Sequence, residues 1–138
     1  MRLVAGGGAL ERSAAVNLGP QSARGRYASF LDDDDWLFPD HVATLVGALR
    51  DAPGKRTARC GVRCVRPGEL GYETLHIFNR AFDHALLLAK NHVPMHAALL
   101  ARSLYSKGCR FDGRLDIYED WDLWIQISQR TGFVRVAR

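Results

Sequence analysis

The chain has 138 residues, 47% hydrophobic and 25% charged, with a formal net charge of +4. That length and balance suit one folded domain and exclude general disorder, and no apolar run reaches the ~18 residues that cross a bilayer. The mild basicity favours anionic ligands such as phosphates or lipid headgroups, but the basic residues are too dispersed for a nucleic-acid footprint.

In chain order, Arg2–Ala5 reads as a short strand, followed by Gly6-Gly7-Gly8, which lacks the lysine and hydroxyl residue of a phosphate-binding loop. Residues 13–23 read as a helix interrupted by Pro20, which cannot donate a backbone hydrogen bond. Residues 27–31 (Tyr-Ala-Ser-Phe-Leu) read as a buried strand running into Asp32-Asp33-Asp34-Asp35. Pro39 suits the first turn of a helix, and Val42, Leu45, Val46 and Leu49 give it one apolar face. The pattern then predicts a strand over 57–65, a turn at Pro67-Gly68, and a helix over 78–90 with Phe78, Phe82 and Leu86 four apart. A strand over 95–101, a short helix over 103–107 ending at Gly108, a helix over 118–130 and a strand over 133–137 complete the chain. Alternating strands and helices predict an α/β fold, a mostly parallel sheet flanked by helices, in a single domain over 1–138.

Four carboxylates in a row need compensation. Two unit charges ~5 Å apart repel by roughly 3 kcal/mol at an effective dielectric near 20. An oxygen-rich site suits Mg²⁺ or Mn²⁺, and ligands of open α/β sheets bind beyond the carboxyl ends of strands. In an extended segment Asp32 and Asp34 share a side, so both could serve one site. The competing reading is a solvated acidic turn that caps the following helix through Asp35 or Asp40.

A second acidic segment, Glu119-Asp120-Trp121-Asp122, opens a predicted helix. Acids favour helix N-termini through the macrodipole, with Trp121 and Trp124 as core aromatics. The alternative is a general base beside an aromatic platform for a sugar ring. Cys60 and Cys64 lack a second ligand pair, so zinc is disfavoured and they read as small buried side chains. His96 precedes the second acidic segment and is read as a packed, hydrogen-bonded histidine, with acceptor contact as the alternative.

In order and spacing, several of these pieces resemble the family 2 nucleotide-sugar glycosyltransferases, which have the GT-A fold. The pieces are residues 13–20 and 23–27, Phe30-Leu31-Asp32-Asp33-Asp34-Asp35-Trp36-Leu37, Pro39, Gly108, Phe111-Asp112, and Glu119-Asp120-Trp121-Asp122-Leu123-Trp124. The resemblance runs from about Ser13 to the C-terminus and is thinnest over 52–91.

That resemblance implies a Rossmann-like sheet and a Mn²⁺ or Mg²⁺ ion bridging the diphosphate of a nucleotide-sugar donor. Asp34 would be the metal ligand, and Asp32 would contact the metal or the donor ribose. Asp33 fills the variable middle of the donor motif, and Asn17 matches a donor-side position. Asp120 matches the base that deprotonates the acceptor hydroxyl, with Glu119 and Trp121 shaping the acceptor side. Carbohydrate or lipid-linked acceptors and inversion at the anomeric carbon follow by the same resemblance. The arrangement requires Asp34 and Asp120 to face each other across one cleft.

There are two departures. Val16 stands where the family often has arginine, leaving Arg12 or Arg24 as substitutes. Arg2-Leu3-Val4 aligns with the strand just before the Asn17 helix, so the first nucleotide-binding third is expected to be missing. An N-terminally truncated fold would expose a sheet edge open to oligomerisation and carry weak or no activity. A non-catalytic binding module is therefore the alternative function. A phosphohydrolase is disfavoured, because Trp36-Leu37-Phe38 supplies neither hydroxyl nor lysine after the aspartates. Three cysteines cannot all pair, and no secretory signal is visible, so reduced thiols and a cytoplasmic site are expected, with a peripheral position at the inner membrane face as a variant.

Overall fold

The computed structural model describes residues 10–137, so the strand read over Arg2–Ala5 and the glycine run after it lie outside the described residues. The first element is α1 (Arg12–Ser22), with Pro20 tolerated in its last turn. After β1 (Tyr27–Ala28) and the aspartate run comes α2 (His41–Arg50), whose N-cap is Asp40; Pro39 lies one residue before that cap. Of its predicted apolar face Leu45 and Leu49 are buried and Val46 is half-buried, whereas Val42 is exposed.

The strand expected over 57–65 is two strands, β2 (Thr57–Arg59) and β3 (Val62–Gly68). The chain leaves one sheet for another at Cys60-Gly61, which a single period-2 pattern does not reveal. β3 pairs antiparallel with β4 (Gly71–Phe78), so the turn falls at Glu69-Leu70 instead of Pro67-Gly68. Gly71 meets that tight turn with φ 120°, a conformation glycine adopts without a Cβ penalty. The helix expected over 78–90 is shortened to α3 (His84–Ala89). Asp83, extended in backbone, accepts a hydrogen bond from the Leu86 N–H at 2.9 Å and starts the helix there.

A 3₁₀ turn (Met95–Ala97) leads into β5 (Ala98–Ala101), then α4 (Ser103–Ser106), α5 (Glu119–Ser128) and β6 (Phe133–Arg135). The main sheet has the order β1-β5-β2-β6. β1–β5 and β5–β2 are antiparallel and β2–β6 is parallel, so the sheet is mixed, not mostly parallel. Three strands share a direction and β5 opposes them. The chain leaves β2 through the β3–β4 hairpin and α3, and returns from the end it left, which makes the next strand antiparallel to β2.

β5 is buried on both faces. Ala98 and Leu100 join a core with Leu87, Leu123, Trp124 and Ile127 from α3 and α5, whereas Leu99 packs on Leu45 and Leu49 of α2. The sheet is thus covered on both sides, as an α/β layered fold requires. No helix among the described residues is long and apolar enough to cross a membrane.

Candidate functional site

The aspartate run is tethered by the residues before it. Ser29 Oγ donates to the Ala98 carbonyl at 2.9 Å, and Phe30 meets Phe111 edge-on with ring centroids 5.2 Å apart. The run then turns instead of extending, with the Asp35 N–H donating to the Asp32 carbonyl at 3.3 Å. The turn sends the carboxylates to different neighbours. Asp32 lies 3.8 Å from the Arg12 guanidinium. The Asp35 carboxylate lies 2.9 Å from His96 Nδ1, and Asp35 caps no helix. Asp33 and Asp34 have no hydrogen bond or ion pair among the described residues. Asp34, Asp35, Trp36, His41, Arg63 and His96 line a cleft of about 260 Å³. Cys60 also lines this cleft, its Sγ 3.6 Å from His41 Nδ1. Burial pushes the Cys60 thiol pKa up, which disfavours the nucleophilic thiolate.

The second acidic segment starts α5 from Tyr118, whose backbone is left-handed at φ 64°. Glu119 pairs with Arg12 Nε at 2.9 Å. Asp120 Oδ2 accepts from Asn91 Nδ2 at 2.8 Å, and its Oδ1 accepts from the Trp121 N–H at 2.8 Å. Asp122 accepts from Gln126 Nε2 one turn on. The Trp121 indole N–H donates to the Leu87 carbonyl and its ring packs against the core, so Trp121 joins α5 to α3.

Asn17 uses both ends of its amide on one residue. Its Nδ2 donates to the Phe111 carbonyl at 2.9 Å, and its Oδ1 accepts from the Phe111 N–H at 3.0 Å. It therefore clamps α1 to the loop that aims α5. In that loop Asp112 is held at about 2 by hydrogen bonds from Arg114.

The two acidic segments meet through Arg12, which reaches both Asp32 and Glu119. Among the described residues Asp120 is not part of the lining of the Asp34 cleft, so the two are not seen facing each other across it. Asp120 is tied to Asn91, which lines a separate cavity of about 450 Å³ with Arg80, Lys90 and His92. Asn91 and the Asp35–His96 pairing are absent from the sequence reading of the site. Neither has a local signature, since each partner lies on a different element.

Among the described residues no group of three His, Cys, Asp or Glu side chains is placed to hold a metal ion. A cage made wholly by this chain is therefore not seen there. Magnesium commonly takes one or two carboxylates and completes its shell with water and substrate phosphates. The Asp34 carboxylate, which lines the cleft without a partner among the described residues, fits that mode of binding.

No curated protein matches the chain. The family model described as glycosyl transferase family 2 matches residues 3–108, which includes α1, the aspartate run and β5 but stops short of Glu119 and Asp120. With most of its length under that match, the chain belongs to glycosyltransferase family 2.

Proposed function

We propose that the chain transfers a glycosyl unit from a nucleotide-diphosphate sugar to an acceptor hydroxyl, with inversion. Asp34 and Asp32 are the carboxylates that would hold a divalent cation, Mn²⁺ or Mg²⁺, on the donor side. A bound cation supplies charge neutralisation for the departing nucleoside diphosphate. Asp33 and Asn17 belong to the donor side, where Asn17 acts through the Phe111 backbone it clamps. Asp120 takes the proton of the acceptor hydroxyl as its oxygen bonds to the anomeric carbon and the bond to the diphosphate breaks. Asn91 orients the Asp120 carboxylate, and Glu119 and Trp121 shape the acceptor side.

The observation that supports this reading most is the Arg12 guanidinium shared by Asp32 and Glu119. It brings the end of the β1 segment and the first turn of α5, distant in sequence, to one place. Asp32 and Glu119, one carboxylate from each acidic segment, thus share one guanidinium.

Calorimetry with a panel of nucleoside diphosphates, with and without Mn²⁺, tests the donor half. Metal-dependent binding that disappears in Asp34→Asn is the expected result. Binding independent of metal, or unchanged in Asp34→Asn, rules out the assigned metal site. For the acceptor half, Asp120→Asn lowers turnover by ~10²–10⁴-fold with nucleotide binding retained. Undiminished turnover removes Asp120 as the base.

A further inference from the structure

We propose that His96, fixed by Asp35, is a sugar-contacting residue: its Nε2 accepts a hydrogen bond from a hydroxyl of a sugar ring seated in the Asp34 cleft. This rests on the proposed function and adds to it a substrate-binding contact.

His96 Nδ1 lies 2.9 Å from Asp35 Oδ2. A carboxylate has no proton to give, so the contact places a proton on Nδ1, and in the neutral imidazole Nε2 is then a lone-pair acceptor. Among the described residues Nε2 has no hydrogen-bond partner, and it is not one of the buried unpartnered atoms. It is therefore open to the cleft that His96 lines. The pairing spans the aspartate turn and the 3₁₀ turn before β5, both anchored to the buried sheet, so the imidazole is held from two sides.

The other walls select the ligand. Asp34, without a partner among the described residues, is the carboxylate assigned to the cation. Trp36 is 56% exposed and offers an apolar face. Arg63 supplies donors from β3, its guanidinium 5.7 Å from the Phe38 ring centre. A purely apolar ligand would leave the His96 acceptor unpaired. A ring with adjacent hydroxyls and one C–H face satisfies that acceptor and covers the indole, and a volume of about 260 Å³ suits one small ring. The ring comes from either the donor or the acceptor.

The test is histidine side-chain nitrogen NMR on the intact labelled chain. The Nδ1–H tautomer is expected for His96, and Asp35→Asn, which can donate to Nδ1, is expected to convert it to Nε2–H. The chain is then titrated with UDP-glucose, GDP-mannose and dTDP-glucose in Mg²⁺, with the matching nucleoside diphosphates, and with methyl glycosides. A His96 Nε2 shift caused by nucleotide sugars but not by nucleoside diphosphates assigns the donor's sugar. A shift caused by methyl glycosides assigns the acceptor's. His96→Ala weakens the active sugar ligand about tenfold, the loss of roughly one hydrogen bond, whereas His96→Gln, which keeps an acceptor, stays within about threefold and serves as the folded control.

An Nε2–H tautomer in the native chain overturns the proposal. Nucleotide binding with His96 unmoved by every sugar also overturns it and leaves the proposed function standing. Methyl glycosides that move His96 in a chain that binds no nucleotide support the sugar site and overturn the proposed function. Absence of all binding overturns both.

Discussion

Arg12 Nε lies 2.9 Å from Oε1 of Glu119, and this contact ties the first turn of α1 to the first turn of α5. The Glu119 side chain is 13% exposed and that of Arg12 is 64% exposed, so the pair is sheltered on one side only. The same guanidinium lies 3.8 Å from Asp32. Arg12 is thus the local counter-charge for two carboxylates on different sides of the proposed reaction. A half-exposed pair of this kind contributes at most about 1 kcal/mol to folding. Arg12→Met is therefore expected to cost no more than that in urea denaturation. Its larger effect falls on the metal. Without the competing cation beside Asp32, the apparent Mg²⁺ affinity in nucleotide binding rises about three- to tenfold, an estimate for a screened charge at this distance. Weaker Mg²⁺ dependence in the variant would show that Arg12 supports the site and does not compete for it.

Arg59 presents the opposite situation. β2 is buried on both faces, and the Arg59 side chain has no exposure. Its Nε, Nη1 and Nη2 have no hydrogen-bond partner among the described residues. In the parallel β2–β6 register it stands against Arg135. Burial, and then the charge of Arg135, lower its pKa. An uncompensated buried cation is destabilising, and an apolar side chain of similar length removes the cost. Arg59→Met is expected to stabilise the chain by on the order of 1–3 kcal/mol, seen as a higher urea midpoint and a higher Tm. A lower midpoint would mean that the guanidinium is satisfied in solution.

How much of this was legible in the sequence depends on how local each signal is. The position of α2 and the α5 start rest on spacing within one element, and the structure has them within a few residues, whereas the buried strand read over 27–31 is only Tyr27–Ala28, half-buried, with Leu31 exposed. The β3–β4 hairpin was lost because the run from 57 to 65 keeps its alternation while the chain changes sheet, and because Phe78, Phe82 and Leu86 mimic a helical face. Asp83 was the available signal, an N-cap residue that starts α3 after those first two aromatics. The orientation of β5 could not be read, since strand direction is set by the route of the connection and not by composition. Within the site, the acidic residues stood out as a cluster, but their partners Arg12, His96 and Asn91 are remote in sequence and carry no pattern.

Two histidines set the acid side of the stability profile. Burial is the main cause that lowers the pKa of His41 from its ordinary 6.5, with the charge of His96 next. Burial also leads for His92, partly opposed by its hydrogen bond to the Lys90 carbonyl. A lowered value in the folded state means that the unfolded chain binds protons at higher pH than the folded chain. The contribution of each histidine is complete above the unfolded value near 6.5 and is lost as pH falls from there toward the folded value. Folding free energy is therefore expected to fall between about pH 7 and pH 5. The double variant His41→Asn, His92→Asn should flatten that part of the profile. An unchanged slope would assign the acid sensitivity to the carboxylates.

Tyr118 carries backbone strain immediately before the proposed base. Its φ of 64° and ψ of 20° put a large aromatic residue in the left-handed region, just before Glu119 and Asp120. That conformation costs an L-residue roughly 1–2 kcal/mol and costs glycine little. The Tyr118 ring also meets Trp121 edge-on at 5.7 Å, a contact that any truncation removes. Comparing two truncations cancels the lost ring contact. Tyr118→Ala keeps the Cβ and its strain, whereas Tyr118→Gly releases it and loses part of the gain to the freer unfolded chain. The glycine variant is expected to be more stable than the alanine variant by about 0.5–1 kcal/mol, the reverse of their order inside a helix. Urea denaturation of the pair measures the difference. An alanine variant as stable as the glycine one would mean that Tyr118 relaxes out of the left-handed region, and that the first turn of α5 is aimed by Asn17 and Arg12 alone.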